Sequence, residues 1–410
     1  MEARPLPSRD DALAGVKVVD FTIVMAGPFC TRVLADAGAD VIKVEPPEGD
    51  MVRHRPPFRG GISTYFASMN CGKRSIVLDL QTMLGRQVAC ELASQADVVV
   101  ENFRPGVMKR LGLDFDTLAR VNPRLVYCSI SGFGQSGPMS QAPSYAPIIH
   151  AASGYQDAHS RYQGGVSRPA NDGTFIADVM GAIHAASAIQ TALLQRNRTG
   201  RGQAIDVSMM DSMLGMLIYE LQNAQFPADR QRQVYQPVRA SDGWVIVVAV
   251  TPRNLAALFD AIDFPQGKTD PRFATVAEKE ANWHELLRIV DNWTSKRTAL
   301  ECERILMRAG VPCSRYRTVD EAMSDPQAQY RGSMATIGTD AEPFQVANPP
   351  YKLSVSRAEA RNLLAGLGQH TGEVLRTVLG YDDSRLDDIR ARGAFGSPAV
   401  GPAIGREPPE

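Results

Sequence analysis

Four short β-branched runs recur early in the chain: "GVKVVDF" (15–21), "DVIKVE" (40–45), "SIVLDL" (75–80) and "DVVVENF" (97–103). A fifth, "RLVYCSI" (124–130), completes the series. Between them lie helix-like or turn-rich segments such as "LGRQVACELASQ" (84–95), whose apolar positions keep helical spacing. Strands that alternate with helices pair in parallel, with the helices covering both faces of the sheet. The pattern predicts an α/β architecture. In open sheets of this kind ligands sit beyond the carboxyl ends of the strands. That draws attention to four loops punctuated by Gly or Pro: "TIVMAGP", "EPPEGD", "ENFRPG" and "SGFGQSGP".

At 410 residues and 44% hydrophobic content, the chain is long enough for two cores of ordinary size. A break comes at "FPADRQRQVYQP" (226–237), which is polar and proline-bounded. Residues 1–225 therefore read as the first part of a large domain and 226–330 as a smaller one, opened by the strand "GWVIVVAV" (243–250). "VANPPYKLS" (346–354) marks a return, so 331–392 rejoin the large domain and include the helix candidate "HTGEVLRTVLGY" (370–381). The Gly- and Pro-rich segment 393–410 reads as a disordered tail.

The 44 basic and 45 acidic side chains leave no global field to attract nucleic acid or an anionic membrane, so an anion must be bound locally. Six cysteines without C-x-x-C spacing read as free thiols in a reducing compartment. No stretch reaches the ~18 uninterrupted apolar residues of a membrane span. Cytoplasm is the expected location.

Several chemistries fail on spacing. The first strand-to-helix turn, "FTIVMAGPFC", holds only Gly27, with Val24, Met25 and Pro28 where a dinucleotide fingerprint needs glycines. Six histidines never fall at metal-ligand spacing, and His184, on an apolar helix, reads as a hydrogen-bonded core residue. "ISGFGQSGP" is not a nucleophile elbow, because Ser136 falls outside its spacing.

Asp178 remains. It stands in "GTFIADVMGAIHAASAIQTALLQ" (173–195) and is followed by seventeen residues without a formal charge. One reading is an N-cap, worth ~1 kcal/mol. Another follows from its small neighbours Gly173, Ala177, Gly181, Ala182, Ala185 and Ala186, which let a ligand approach an acid in apolar surroundings. A poorly solvated carboxylate is a better nucleophile than one in water. Both readings can hold. A thioester is its natural electrophile, since a thiolate of pKa ~8.5 leaves easily.

Six ordered stretches resemble family III CoA transferases: "GVKVVDFTIVMAGPFCTRVLADAGADVIKVEPPEGD", "SMNCGKRSIVLDL", "ADVVVENFRPGVMKRLGLDF", "NPRLVYCSISGFGQSGP", "IADVMGAIHAASAIQTALLQRNRTGRGQAIDVSMMD" and "GQHTGEVLRTVLGY". The resemblance implies an interlocked homodimer whose chains each carry a large Rossmann-like domain with a parallel sheet and a smaller α/β domain. It implies no tightly bound cofactor and no metal; coenzyme A enters as the acyl-CoA substrate, with a small carboxylic acid as the second partner. It places the catalytic aspartate at Asp178 and a donor to the developing oxyanion at Gln135. CoA would lie along Val24, Met25, Ala26, Asn102 and Phe103, with Arg110 for phosphate and Lys73 and Arg74 as further phosphate partners.

Racemases of the same fold pair the acid with a histidine in a G-H-D sequence, where this chain has Tyr145 and Ala146. A phenol, of pKa ~10 in water, substitutes poorly for that histidine near neutrality. The transferase reading is favoured. His150, five residues on, keeps a racemase open as an alternative, and a non-catalytic acyl-CoA binding protein is a third.

Overall fold

The computed structural model describes residues 11–163, 168–229 and 232–396. Two compact units result: the chain up to Gln222 together with the chain from Tyr330 onward, and Asn223–Gln329.

In the larger unit, β1 (Lys17–Asp20), β2 (Asp40–Glu45), β3 (Arg74–Val77), β4 (Val98–Glu101), β5 (Val126–Ser131) and β6 (Ala204–Ser208) form one sheet in the order β3-β2-β1-β4-β5-β6. Every pairing in it is parallel, with Val19 opposite both Ile42 and Val99. The order reverses between β1 and β4. A crevice must open at the carboxyl ends of those two strands, because the connections leave them in opposite directions.

Alternation along the strands divides the core. Val18, Val98, Val100, Cys128 and Ile130 face one side, where α1 (Ala26–Asp36) and the long α6 (Ile176–Thr199) pack. Val19, Ile42, Ile76, Val99 and Tyr127 face the other, under α3 (Met83–Ser94) and α8 (Thr371–Leu379). The remaining helices used below are α2 (Thr64–Asn70), α4 (Ala146–Ala152), α5 (Tyr155–Arg161) and α7 (Met209–Met216). Met334–Gly338 and Pro343–Ala347 add an antiparallel pair beside α2.

The smaller unit has its own α/β core. Val238–Arg239, Trp244–Val247 and Cys313–Arg315 form an antiparallel sheet, which packs with Phe259, Trp283 and Trp293 from surrounding helices. Its helix Ala299–Arg308 starts with a capping box, Thr298 and Glu301 satisfying each other's amides.

The structure corrects two local expectations. Residues 393–396 are not tail: Ala394 is fully buried and its carbonyl accepts the Asp79 N–H at 2.9 Å. The remainder of the expected tail, 397–410, lies outside the described residues. Helix α6 is also one-sided rather than buried throughout. Ala177, Gly181, Ala182, Ala185 and Ala186 pack inward, whereas Ile183, His184, Ser187, Thr191 and Leu194 are exposed. His184 is therefore a surface residue. Although α6 has the length and apolarity to cross a membrane, its small-residue face is part of the sheet core.

Candidate active site

The crevice is framed first by the turn between β1 and α1. Gly27 is required there, since a Cβ at that position would lie 2.3 Å from Thr22 Cβ. Val24 adopts φ 66°, a conformation a β-branched residue rarely accepts. Its amide points at the buried carboxylate of Asp50, 3.3 Å from Oδ2. Asn102, just beyond β4, grips the same turn: its Oδ1 accepts the Ile23 N–H at 2.8 Å and its Nδ2 donates to the Ile23 carbonyl at 2.9 Å. Strain of this kind persists only where the surroundings over-determine it. The N-cap of α1 is Met25, which offers no side-chain acceptor to the first turn.

Asp178 comes from a different element. It is the third residue of α6, behind an N-cap at Phe175 whose own side chain makes no capping bond. The capping reading of Asp178 is thus overturned: the helix begins two residues before it. Its carboxyl sits in apolar surroundings, and burial alone pushes it up to about 6. At neutrality it remains an anion, though a poorly solvated one.

Tyr65 of α2 joins the two parts. Burial raises its hydroxyl, and the negative charges of Asp178 and Asp50 raise it further. The same hydroxyl contacts Met25 Sδ at 3.6 Å. No local pattern singles out this residue; only the packing of α2 against the first turn does.

The loop after β5 carries Gln135. Its main-chain N–H is held by both oxygens of Asp206 on β6, at 2.9 and 3.1 Å. Its side-chain Nε2 is buried and has no hydrogen-bond partner. A fixed loop with one unspent donor is what an oxyanion needs. Below it Glu101 is pushed up to about 7 by burial, partly offset by the Ser129 hydroxyl and the Phe103 amide.

The cationic residues divide. Lys73 is only 2% exposed, and Nζ donates to Asp20 Oδ2, the Pro28 carbonyl and Asn70 Oδ1. Arg74 pairs with Asp40 and Glu373. Both line a cavity of about 310 Å³ together with Lys43, Arg53, Phe66 and Leu364, but their charges are already compensated within the fold. This departs from the expected phosphate role. No lining residue of that cavity belongs to α6. Arg110, in contrast, is exposed at the end of a short helix beyond β4.

The parallel sheet with its switch point between β1 and β4, and a first turn without the glycines of a dinucleotide fingerprint, define an α/β protein other than a dinucleotide-binding one. The profile of CoA-transferase family III matches residues 13–371, and the chain belongs to that family; it is a CoA transferase. Among relatives, the acetyl-CoA:oxalate CoA-transferase of Acetobacter aceti is 38% identical over 79% of this chain and 85% of its own. The human succinyl-CoA:glutarate CoA-transferase is 32% identical over 93% and 89%. A CaiB/BaiF family protein from Brucella suis has the same fold, with TM-score 0.79 at 32% identity over 89% of this chain and 99% of its own.

Proposed function

We propose that the chain moves CoA from an acyl-CoA thioester to a small free carboxylic acid, with Asp178 as covalent carrier. An oxygen of the Asp178 carboxylate attacks the thioester carbonyl, the C–S bond breaks, and CoA thiolate leaves behind an aspartyl anhydride. The thiolate then attacks the aspartyl carbonyl carbon, releasing the donor carboxylate and forming an aspartyl-CoA thioester. The acceptor carboxylate attacks the carbonyl carbon of the aspartyl-CoA thioester, the C–S bond breaks, and CoA thiolate leaves behind a second anhydride. Thiolate attack on the acceptor's acyl carbon completes the new acyl-CoA and returns Asp178. No proton is gained or lost in the cycle.

The single observation that carries this reading is the state of Asp178: partly buried, raised to about 6 by desolvation, and exposed to small residues at the start of α6. CoA is assigned to the turn Val24–Met25–Ala26 and to Asn102 and Phe103, with Arg110 near its phosphates and the Gln135 amide near the reacting carbonyl. The unspent Gln135 donor supports the last assignment. His150 supplies no second base for racemisation, because its Nε2 is engaged by a main-chain amide.

A homodimer belongs to the same proposal. Ile183 and Leu194 of α6 with its N-cap Phe175, and Ile148 of α4 with its N-cap Tyr145, expose large apolar surfaces that a second copy would cover. The cytoplasm is the proposed location.

The test is an exchange assay with purified protein. Incubation of an acyl-CoA donor with an isotope-labelled free acid should yield labelled acyl-CoA, and Asp178→Ala should abolish it. Deuterium uptake at the α-carbon without CoA exchange would replace this reading with racemisation.

A further inference from the structure

Helix α6 begins without a cap of its own: Phe175 occupies the N-cap position and cannot accept from the free amides of the first turn. One of those amides is satisfied from elsewhere. The Ala177 N–H donates to Nε2 of His150, at 3.0 Å, from helix α4. An imidazole nitrogen accepts only when it carries no proton, so the ring is neutral and its hydrogen sits on Nδ1. Nδ1 is buried without a partner, and the ring is 0% exposed, edge-on to Tyr155 with centroids 5.5 Å apart. Such a ring has little freedom to turn.

We infer that His150 is a positioning residue: its neutral imidazole replaces the missing cap, fixes the first turn of α6, and thereby aims the adjacent Asp178 carboxylate. The inference rests on the reading of Asp178 as nucleophile. Hydrogen bonds to the helix start matter here because nucleophile and carbonyl must meet in near-attack geometry, where a displacement of ~1 Å costs ~100-fold in rate.

The neutral state is favoured by the surroundings. Burial lowers the His150 imidazolium, opposed by the carboxylate of Asp172 in the segment leading into α6. Tyr155 of α5 meets the ring edge-on and donates its hydroxyl to Asp172, at 2.9 Å. Helix α6 itself brings Asp178 and the exposed His184, and α7 brings the exposed Asp211. Protonation would turn the acceptor into a donor facing a donor, and the cap would be lost at acid pH.

Two variants and one spectrum test this. His150→Gln keeps an acceptor that does not titrate, and should hold kcat to within about threefold of the parent. His150→Leu fills the space without an acceptor, and should lower kcat about 10- to 100-fold while KM for the acyl-CoA donor stays within about threefold. In histidine-selective 15N NMR of the full chain, the His150 proton should be on Nδ1. A proton on Nε2, undiminished kcat in His150→Leu, or equal loss in both variants overturns the inference. Should the Leu variant not fold, as judged by circular dichroism, the Gln variant and the tautomer still decide. Exchange that survives Asp178→Ala while the tautomer is as expected would reject the nucleophile rather than the cap.

Discussion

Asn102 closes a ring of two hydrogen bonds on the main-chain N–H and C=O of Ile23, tying the end of β4 to the turn after β1 across the point where the sheet order reverses. The residue assigned to CoA by resemblance therefore has a prior structural duty: it holds Val24 at φ 66°. Asn102→Ala should raise KM for acyl-CoA about 5- to 30-fold, the equivalent of ~1–2 kcal/mol for two neutral hydrogen bonds. Asn102→Asp, which keeps the acceptor and loses the donor, should fall between. Steady-state kinetics on both variants check the order.

Lys73 should matter to stability before it matters to binding. Burial, with the like charge of Lys43, outweighs the attraction of Asp20 and lowers its ammonium to about 8, so it is still charged at neutrality. Burial disfavours the Asp20 carboxylate too, yet Lys73, Lys43 and the hydroxyls of Thr22 and Thr31 outweigh this and keep it ionised. Lys73→Ala strands that charge and should cost about 3–5 kcal/mol in urea unfolding. Adding Asp20→Asn should recover part of the loss, since the two sites share one interaction. A Lys73→Ala protein with parental stability and a raised KM would restore the phosphate role.

Asp178 carries a stability cost whose sign can be measured. Its folded pKa, about 6, lies above the ordinary value of 3.8, so ionisation disfavours the folded state. The penalty is complete above about pH 6 and disappears as pH falls through 3.8. Asp178→Asn should therefore stabilise the protein by about 1–3 kcal/mol at pH 8 and by nothing near pH 3, while abolishing transfer. The parental rate should fall below about pH 6 as the carboxylate is protonated. Denaturation curves at the two pH values, with a pH–rate profile, provide the check.

Gln135 is expected to act on the chemical step. Its main chain is fixed by Asp206, so truncation of the side chain removes a donor without releasing the loop. Gln135→Ala should lower kcat about 100-fold with KM nearly unchanged. Asp206→Ala, which frees the loop, should disturb both constants.

Much of the large unit could be read from local pattern. "GVKVVDF", "DVIKVE" and "DVVVENF" each contain the strand observed, because β-branched runs between turns have few other ways to bury themselves. Asp178 could be singled out as a lone acid before a charge-free helix. What pattern could not show were contacts between residues remote in sequence. The pairing of Arg74 with Glu373, the approach of Tyr65 to Asp178 and the capping of α6 by His150 all depend on the folded chain. The mistaken N-cap is a case in point. Asp is a common cap, so nothing local indicated that a histidine from α4 would take that function and leave the carboxylate free.

The central claim is that Asp178 becomes covalently acylated by its thioester substrate. Incubation with an acyl-CoA donor, followed by hydroxylamine or borohydride trapping and peptide mass spectrometry, reads this directly. The account predicts a hydroxamate or a reduced side chain at Asp178 that appears only with donor present. A tag on another residue, or none while CoA exchange proceeds rapidly, would contradict it.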